Sequence, residues 1–417
     1  MKKATNIHYG TFYTERTFTF LFFIVLCATA LFSLIHVSSY ESFQISDWLI
    51  NYQGGFIRRG LVGEILFQIE KVSPYNVRHA ILAIDLIFYF LFFLLIFKIF
   101  IRHGWSLLGA MFPIVCCTTS MCSYRRDFMM LCISYLIFMY FFKYIKNNNK
   151  TALFISVMLM SLGIIVYEPV FFTIIPILAL NYWHTCSNRS VFKTAAVFAL
   201  PLACMLLSCL NNGTEKQSDI IWQSWLPYIT PFGYGADGIK GLAVDFLGLT
   251  NAEVFKLHLE SNFGSNPLKP IMTLLVVFTL AFFLSTHIPN VCNSNKTTSP
   301  NKNKSELGAI LTFQLLAHLP LYTLLSCDYG RTIPMSIYSS FIIFHFSKEN
   351  DVKTYVTGII DKAVGKIMHW SDSVPLLGNT YFYIAVMLLF PFQMFVPSII
   401  HDNIIMHSLD KIIKYVI

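Results

Sequence analysis

The sequence predicts an all-α integral membrane protein: one polytopic domain over residues 1–417 with about eleven transmembrane helices, in a range of ten to twelve. Three observations predict it. Hydrophobic residues make up 55% of the chain and charged residues 12%, which is about half the charge of an ordinary soluble domain. The 40 phenylalanines cluster in runs such as Phe18–Phe23 and Phe88–Phe93, more apolar surface than a soluble core hides. Apolar stretches of roughly 20 residues recur, and the polar stretches between them are too short to form separate domains.

Taken in order, spans are expected at about 18–37, 81–101, 105–122, 127–143, 151–166, 168–183, 191–210, 269–289, 306–326, 333–346 and 381–400. The first follows a basic stretch, Met1 to Thr17. No small-x-small site comes after it, so it reads as an uncleaved anchor rather than a signal peptide. The runs 168–183 and 333–346 are short, and each begins beside a polar motif. With the N-terminus in the cytoplasm, seventeen of the 30 Lys and Arg residues fall on inside segments, as the positive-inside rule asks. These are mostly dispersed lysines in Asn-rich loops, whereas several outside residues are arginines in tight groups. Two outer segments are long: residues 38–80, with an amphipathic helix, and residues 211–269. Their aromatic content argues against disorder.

Charge and motifs exclude several classes. The net charge of +8 is scattered, not gathered into a nucleic-acid patch. The ten cysteines lie mostly inside apolar runs, with no C-x-x-C pattern. There is no P-loop, no G-x-G-x-x-G, no H-E-x-x-H and no Ser–His–Asp spacing, so nucleotide-driven pumping and metalloprotease chemistry are not expected. Asp85 is the one clear mid-helix carboxylate, and the expectation is that it faces the bundle.

Five polar constellations fall on the same expected face. The first is Asp47-Trp-Leu-Ile-Asn-Tyr-Gln-Gly-Gly-Phe-Ile-Arg-Arg-Gly60, followed by Leu-Val-Gly-Glu64. Gly54 and Gly55 permit a turn closed to other residues. Arg58 and Arg59 follow, and apolar spacing from Phe56 to Ile69 suits a helix at the membrane surface. An arginine pair at a helix start can hold phosphate through planar forks. The second is Tyr124-Arg-Arg-Asp127, which places Arg125 and Arg126 at the membrane edge. In the third, Tyr167-Glu168-Pro169, the proline breaks the helix beside a carboxyl group. Desolvation would push that carboxyl's pKa up and an arginine partner would push it down. The fourth is Cys327-Asp-Tyr-Gly-Arg331, where Asp328 can orient Arg331 or act as a base. The fifth is the 211–269 segment, whose Trp222, Trp225 and Tyr228 offer aromatic faces for a sugar ring or for the membrane interface.

In order, D-W-x-x-N-Y-x-G-G-F-x-R-R-G-L-x-G-E, R-[RK]-[DE], [HY]-E-x-x-F-F-x-x-x-P and D-Y-G-R, this chain resembles polytopic proteins of bacterial surface-polysaccharide clusters. These look like O-antigen or capsule repeat-unit polymerases of the Wzy type. Tyr167 stands where that pattern leads one to expect His. The resemblance implies residence in the bacterial inner membrane and transfer of a growing glycan from undecaprenyl diphosphate to a new lipid-linked repeat unit at the periplasmic face. It implies no cofactor, no metal and no nucleic acid. The expected partners are the undecaprenyl-diphosphate-linked oligosaccharide, the lipid bilayer and a chain-length regulator.

On that reading Arg58, Arg59, Arg125, Arg126 and Arg331 are the candidate diphosphate cations. Gly54 and Gly55 would let the backbone approach the ligand. Glu168 is the first candidate for the acceptor's base or orienting carboxylate, with Asp328 and Asp47 behind it. A GT-C-like bundle around a periplasmic-face cavity is one expected arrangement. Two alternatives remain: a GT-C type transferase using a polyprenyl monophosphate sugar, with Asp47 or Glu41 as its carboxylate, and a polysaccharide flippase, which the one-sided charge counts against.

Overall fold

The computed structural model describes residues 42–73, 75–103, 126–185, 189–235, 238–263, 300–321 and 329–377. It also describes shorter pieces at 17, 19–24, 26–27, 40, 279, 282–283, 286, 382, 394–396 and 399–400. The described chain is helical apart from one short ribbon. Its helices are α1 (Phe43–Trp48), α2 (Gly60–Val72), α3 (Val77–His103), α4 (Asp127–Asn147), α5 (Lys150–Val166), α6 (Val170–Thr185) and α7 (Val191–Leu210). They continue as α8 (Glu215–Ile229), α9 (Leu242–Asp245), α10 (Asn251–Phe263), α11 (Pro300–Ala317), α12 (Tyr329–Asn350) and α13 (Gly358–Ser373).

Three of these, α3, α4 and α7, are long and apolar enough to cross a bilayer; α5 and α6 are shorter apolar helices. Large apolar side chains such as Ile87, Leu91 and Leu94 on α3 and Leu206 and Leu207 on α7 are exposed, as lipid-facing positions must be. The expected runs 81–101, 127–143, 151–166, 168–183 and 191–210 each coincide with a helix. Run 333–346 belongs to a longer helix, α12, and 306–326 overlaps α11. The 105–122 run lies outside the described residues, and 18–37 and 269–289 are described only in helical fragments. The last run, 381–400, is corrected over its described end. There Met394–Val396 and Ile399–Ile400 pair as an antiparallel ribbon. Pro397 cannot donate to a helix, and the β-branched residues beside it favour extended backbone.

Local chemistry sets the helix ends. The Asn149 side chain accepts from Ala152 N to start α5, and Ser190 and Thr214 do the same for α7 and α8. Pro169 ends the run that α5 begins, so a turn at Tyr167–Pro169 separates it from α6. The bundle packs α4 on α5 and α12, α5 on α7, and α11 on α12. Near their last turns, α3 and α12 meet through Arg102 Nη1 and Glu349 Oε1, 2.8 Å apart, and through His103 and His345, whose ring nitrogens are 3.0 Å apart. These two helices therefore run parallel, and their first turns share the other end of the bundle.

A second hydrophobic core caps that other end. It joins Trp48, Leu49, Ile57, Leu66 and Phe67 of the first long segment to Ile221, Trp222, Trp225, Val244 and Leu247 of the second, on the start of α3. The cap is sewn by polar contacts of large sequence separation. Trp225 Nε1 donates to Leu49 O at 2.7 Å, Asn51 Nδ2 to Ser224 Oγ at 2.9 Å, and Ala243 N to Ser46 Oγ at 2.9 Å. The described parts of the two long segments are thus one folded unit rather than two loops.

Candidate functional site

The first motif folds around its own glycines. A Cβ on Gly63 would overlap the carbonyl oxygens of Ile50 and Trp48, and one on Gly60 would overlap the Tyr52 ring. Glu64 accepts from Tyr52 N at 2.8 Å and from Gln53 Nε2 at 3.0 Å, closing the 51–64 turn on itself. The helix therefore starts at Gly60 rather than at Phe56, with Arg59 as its N-cap in the left-handed region at φ 61. Arg58 N donates to Asn211 O at 2.9 Å, tying the turn to the end of α7.

This turn brings three of the five constellations together. Arg59 lies between two carboxylates. Its Nη2 is 2.6 Å and its Nε 2.8 Å from Glu168, and its Nη1 is 3.4 Å from Asp47 Oδ1. The same guanidinium sits 5.0 Å over the Tyr167 ring, which occupies the position where His was expected. Arg126 is buried beneath. Its Nη1 donates to Arg59 O at 2.7 Å and to Val166 O at 3.1 Å, its Nη2 donates to the Asp47 carbonyl, and its Nε is 3.4 Å from Asp47 Oδ2. Arg126 thus binds three chain segments to one another and has no face toward solvent.

Arg58 is the least engaged of the three. Its side chain is 22% exposed, close to the 18% of Arg59, against 0% for Arg126. Its Nη1 makes one long contact, 3.5 Å to Glu168 Oε1, and its Nε, like that of Arg126, is buried with no hydrogen-bond partner. Burial holds the Arg58 guanidinium below its ordinary pKa by more than Glu168 restores. For Arg59 burial also lowers, but Glu168 and Asp47 together outweigh it and raise the pKa. Burial pushes the Glu168 carboxyl up, and the Arg59 and Arg58 charges with the Arg59 hydrogen bonds bring it below the usual carboxylate range. Glu168 is therefore an ionised anchor.

The other expectations resolve as follows. Gly55 has φ 103, as a turn glycine should. Gly54 packs against α8, where an added Cβ would stand 3.1 Å from Gln217 O, so its closeness serves packing on the protein itself. The sugar-platform reading of Trp222 and Trp225 is corrected. Both indoles are buried in the cap core, and a buried ring offers no open face to a sugar. Tyr228 is half-buried, with its ring edge-on to Phe67 at 5.9 Å. Arg125 and Asp328 lie outside the described residues. Arg331 is described as backbone in the first turn of α12, at the capped end of the bundle. Asp85 is buried in the bundle, as expected.

Sequence reasoning missed the supports of the site. Trp48 lies under Arg126, with the guanidinium 5.5 Å from its ring. Cys209 and His258 lie within electrostatic reach of Arg58. Trp48 stands next to Asp47 in the first motif, and only Cys209 and His258 reach the site from segments distant in sequence. Among the described residues no cluster of His, Cys, Asp and Glu is placed to hold a metal ion. The arrangement can hold one anion at Arg58, with Arg59 fixed behind it as a second positive charge. No family model, no curated protein and no solved structure matches this chain.

Proposed function

We propose that this chain polymerises lipid-linked oligosaccharide repeat units at the outer face of the bacterial inner membrane, with ten to twelve spans in a GT-C-like bundle. The observation that supports it most is Arg58: a partly exposed side chain with one 3.5 Å contact, beside an Arg59 fixed by two carboxylates, at one end of an apolar helical bundle. A lipid-borne diphosphate presents its charge at that depth while its tail stays in the bilayer.

In the reaction an acceptor hydroxyl oxygen bonds to the donor's anomeric carbon. The bond from that carbon to the diphosphate oxygen breaks, and undecaprenyl diphosphate leaves with the electron pair. Arg58 meets the charge that grows on the leaving oxygen, and a preorganised cation there lowers the barrier. Arg59 adds a fixed positive field. Glu168 and Asp47 hold Arg59 in place, and because both are engaged by arginines they are weak bases. The acceptor proton then goes to another base, for which Asp328 remains the candidate from the sequence. A GT-C transferase with Asp47 as its open carboxylate is disfavoured by the same pairing.

The test is a gel of surface glycan from a deletion strain complemented with wild type, Arg58→Ala or Arg58→Lys. Polymerase loss leaves single-repeat material, whereas loss of a transferase or flippase leaves none. A full ladder from Arg58→Ala protein at wild-type level would remove the mechanism.

A further inference from the structure

α13 was not expected from the sequence, where residues 358–373 read as part of an inside loop. It packs along the first half of α11: a Cβ on Gly308 would stand 3.1 Å from Val364, and one on Gly365 would stand 3.9 Å from Ser305. Val364, Met368 and Ser371 are the buried side of the helix. This is the end of the bundle opposite the arginine cluster. Glu306 of α11 pairs there with Lys348 of α12 at 2.5 Å, and the next residue, Glu349, makes the Arg102 contact.

The apolar arc of α13 is wider than the strip it packs. Ile359, Ala363, Ile367 and Trp370 follow helical spacing on the adjoining face, and all four are exposed; Ile359 is 82% and Trp370 56% exposed. Lys362 and Lys366 border that face on its far side. The acid of the first turn, Asp361, lies away from the stripe and is 3.8 Å from Lys353. With 16 residues and two lysines the helix cannot cross a bilayer. Its apolar arc is half covered by α11 and half open, with lysines and a tryptophan at the boundary, which is the pattern of a helix lying in a membrane interface.

We propose that α13 is a lipid-binding element. Its exposed stripe Ile359–Ala363–Ile367–Trp370 sits in the headgroup region at the face opposite the arginine cluster, and Lys362 and Lys366 select anionic lipid there. An anionic surface is the occupant that the flanking lysines match in charge.

The full-length protein, reconstituted in phosphatidylcholine vesicles with and without phosphatidylglycerol, tests this. Subtracting the emission of Trp370→Phe protein isolates Trp370. Its emission is expected to be blue-shifted and quenched by lipids brominated near the headgroup. Lys362→Gln/Lys366→Gln protein is expected to recruit less phosphatidylglycerol, by about five-fold for each lysine lost, and to keep wild-type thermal stability in detergent. Trp370 quenched by aqueous iodide and untouched by brominated lipid would overturn the proposal. So would protection of Trp370 that rises with protein density rather than with lipid, which would assign the face to a second copy of the chain. Phosphatidylglycerol recruitment unchanged in the double variant would remove the lipid selectivity.

Discussion

Replacing Glu168 with Gln leaves Arg59 buried with half its counter-charge gone. Removing one partner of a buried ion pair costs roughly 3–5 kcal/mol, so Glu168→Gln protein is expected to melt well below wild type in detergent. Arg58→Ala removes one 3.5 Å contact from a partly exposed side chain. Its stability cost is expected to be smaller than that of Glu168→Gln, because only that one long contact is lost, while glycan extension falls by roughly 100-fold or more. This pair of variants separates positioning from ligand binding within one cluster. The pH dependence follows from Glu168, whose folded pKa lies below its unfolded value. Such a group stabilises the fold above the unfolded carboxylate value of about 4.3, and its contribution is lost as pH falls through the folded value. Thermal stability measured from neutral pH into the acid range is expected to bring wild type toward Glu168→Gln, and a constant gap would contradict the assignment. The arginine and carboxylate candidates were legible as residues because charge at a membrane edge is costly. Their partners were not, since Glu168 pairs with Arg59, 109 positions away, rather than with the nearer Arg126.

At the scale of elements, the cap decides whether the site exists. Trp225 fills the core shared by the two long segments and hydrogen-bonds Leu49 O. Trp225→Ala is expected to cost about 3–5 kcal/mol and to abolish extension by loosening the cap rather than by removing a charged group. Protease cleavage within 211–263 of the reconstituted protein reads this directly, being slow in wild type and fast in the variant. Gly63→Ala is expected to act similarly, because its Cβ has no room against the Ile50 and Trp48 carbonyls. The aromatic residues of the 211–269 segment were visible in the sequence as a sign of order. That they form a core rather than a sugar platform was not, because burial depends on the facing segment, about 170 residues earlier.

At the scale of the whole molecule, the described helices have two chemically different ends. The arginine–carboxylate cluster and its cap lie at one, and the Arg102–Glu349 and Lys348–Glu306 pairs with α13 lie at the other. Single cysteines placed at Gln53 and at Lys353 are therefore expected to label from opposite sides of intact spheroplasts, and labelling from the same side would contradict this two-ended arrangement. The sequence by itself determined that the chain is helical, that several helices are apolar enough for a bilayer, and which polar residues sit at their ends. Those properties depend on hydropathy and local backbone chemistry, which are written residue by residue. Only the tertiary structure decided that Arg126 is a buried clamp, that Arg59 is held by two carboxylates and that Arg58 makes a single long contact. Each of those outcomes depends on which distant carbonyl or carboxylate arrives beside a guanidinium, and only the packing of the helices and the cap fixes that.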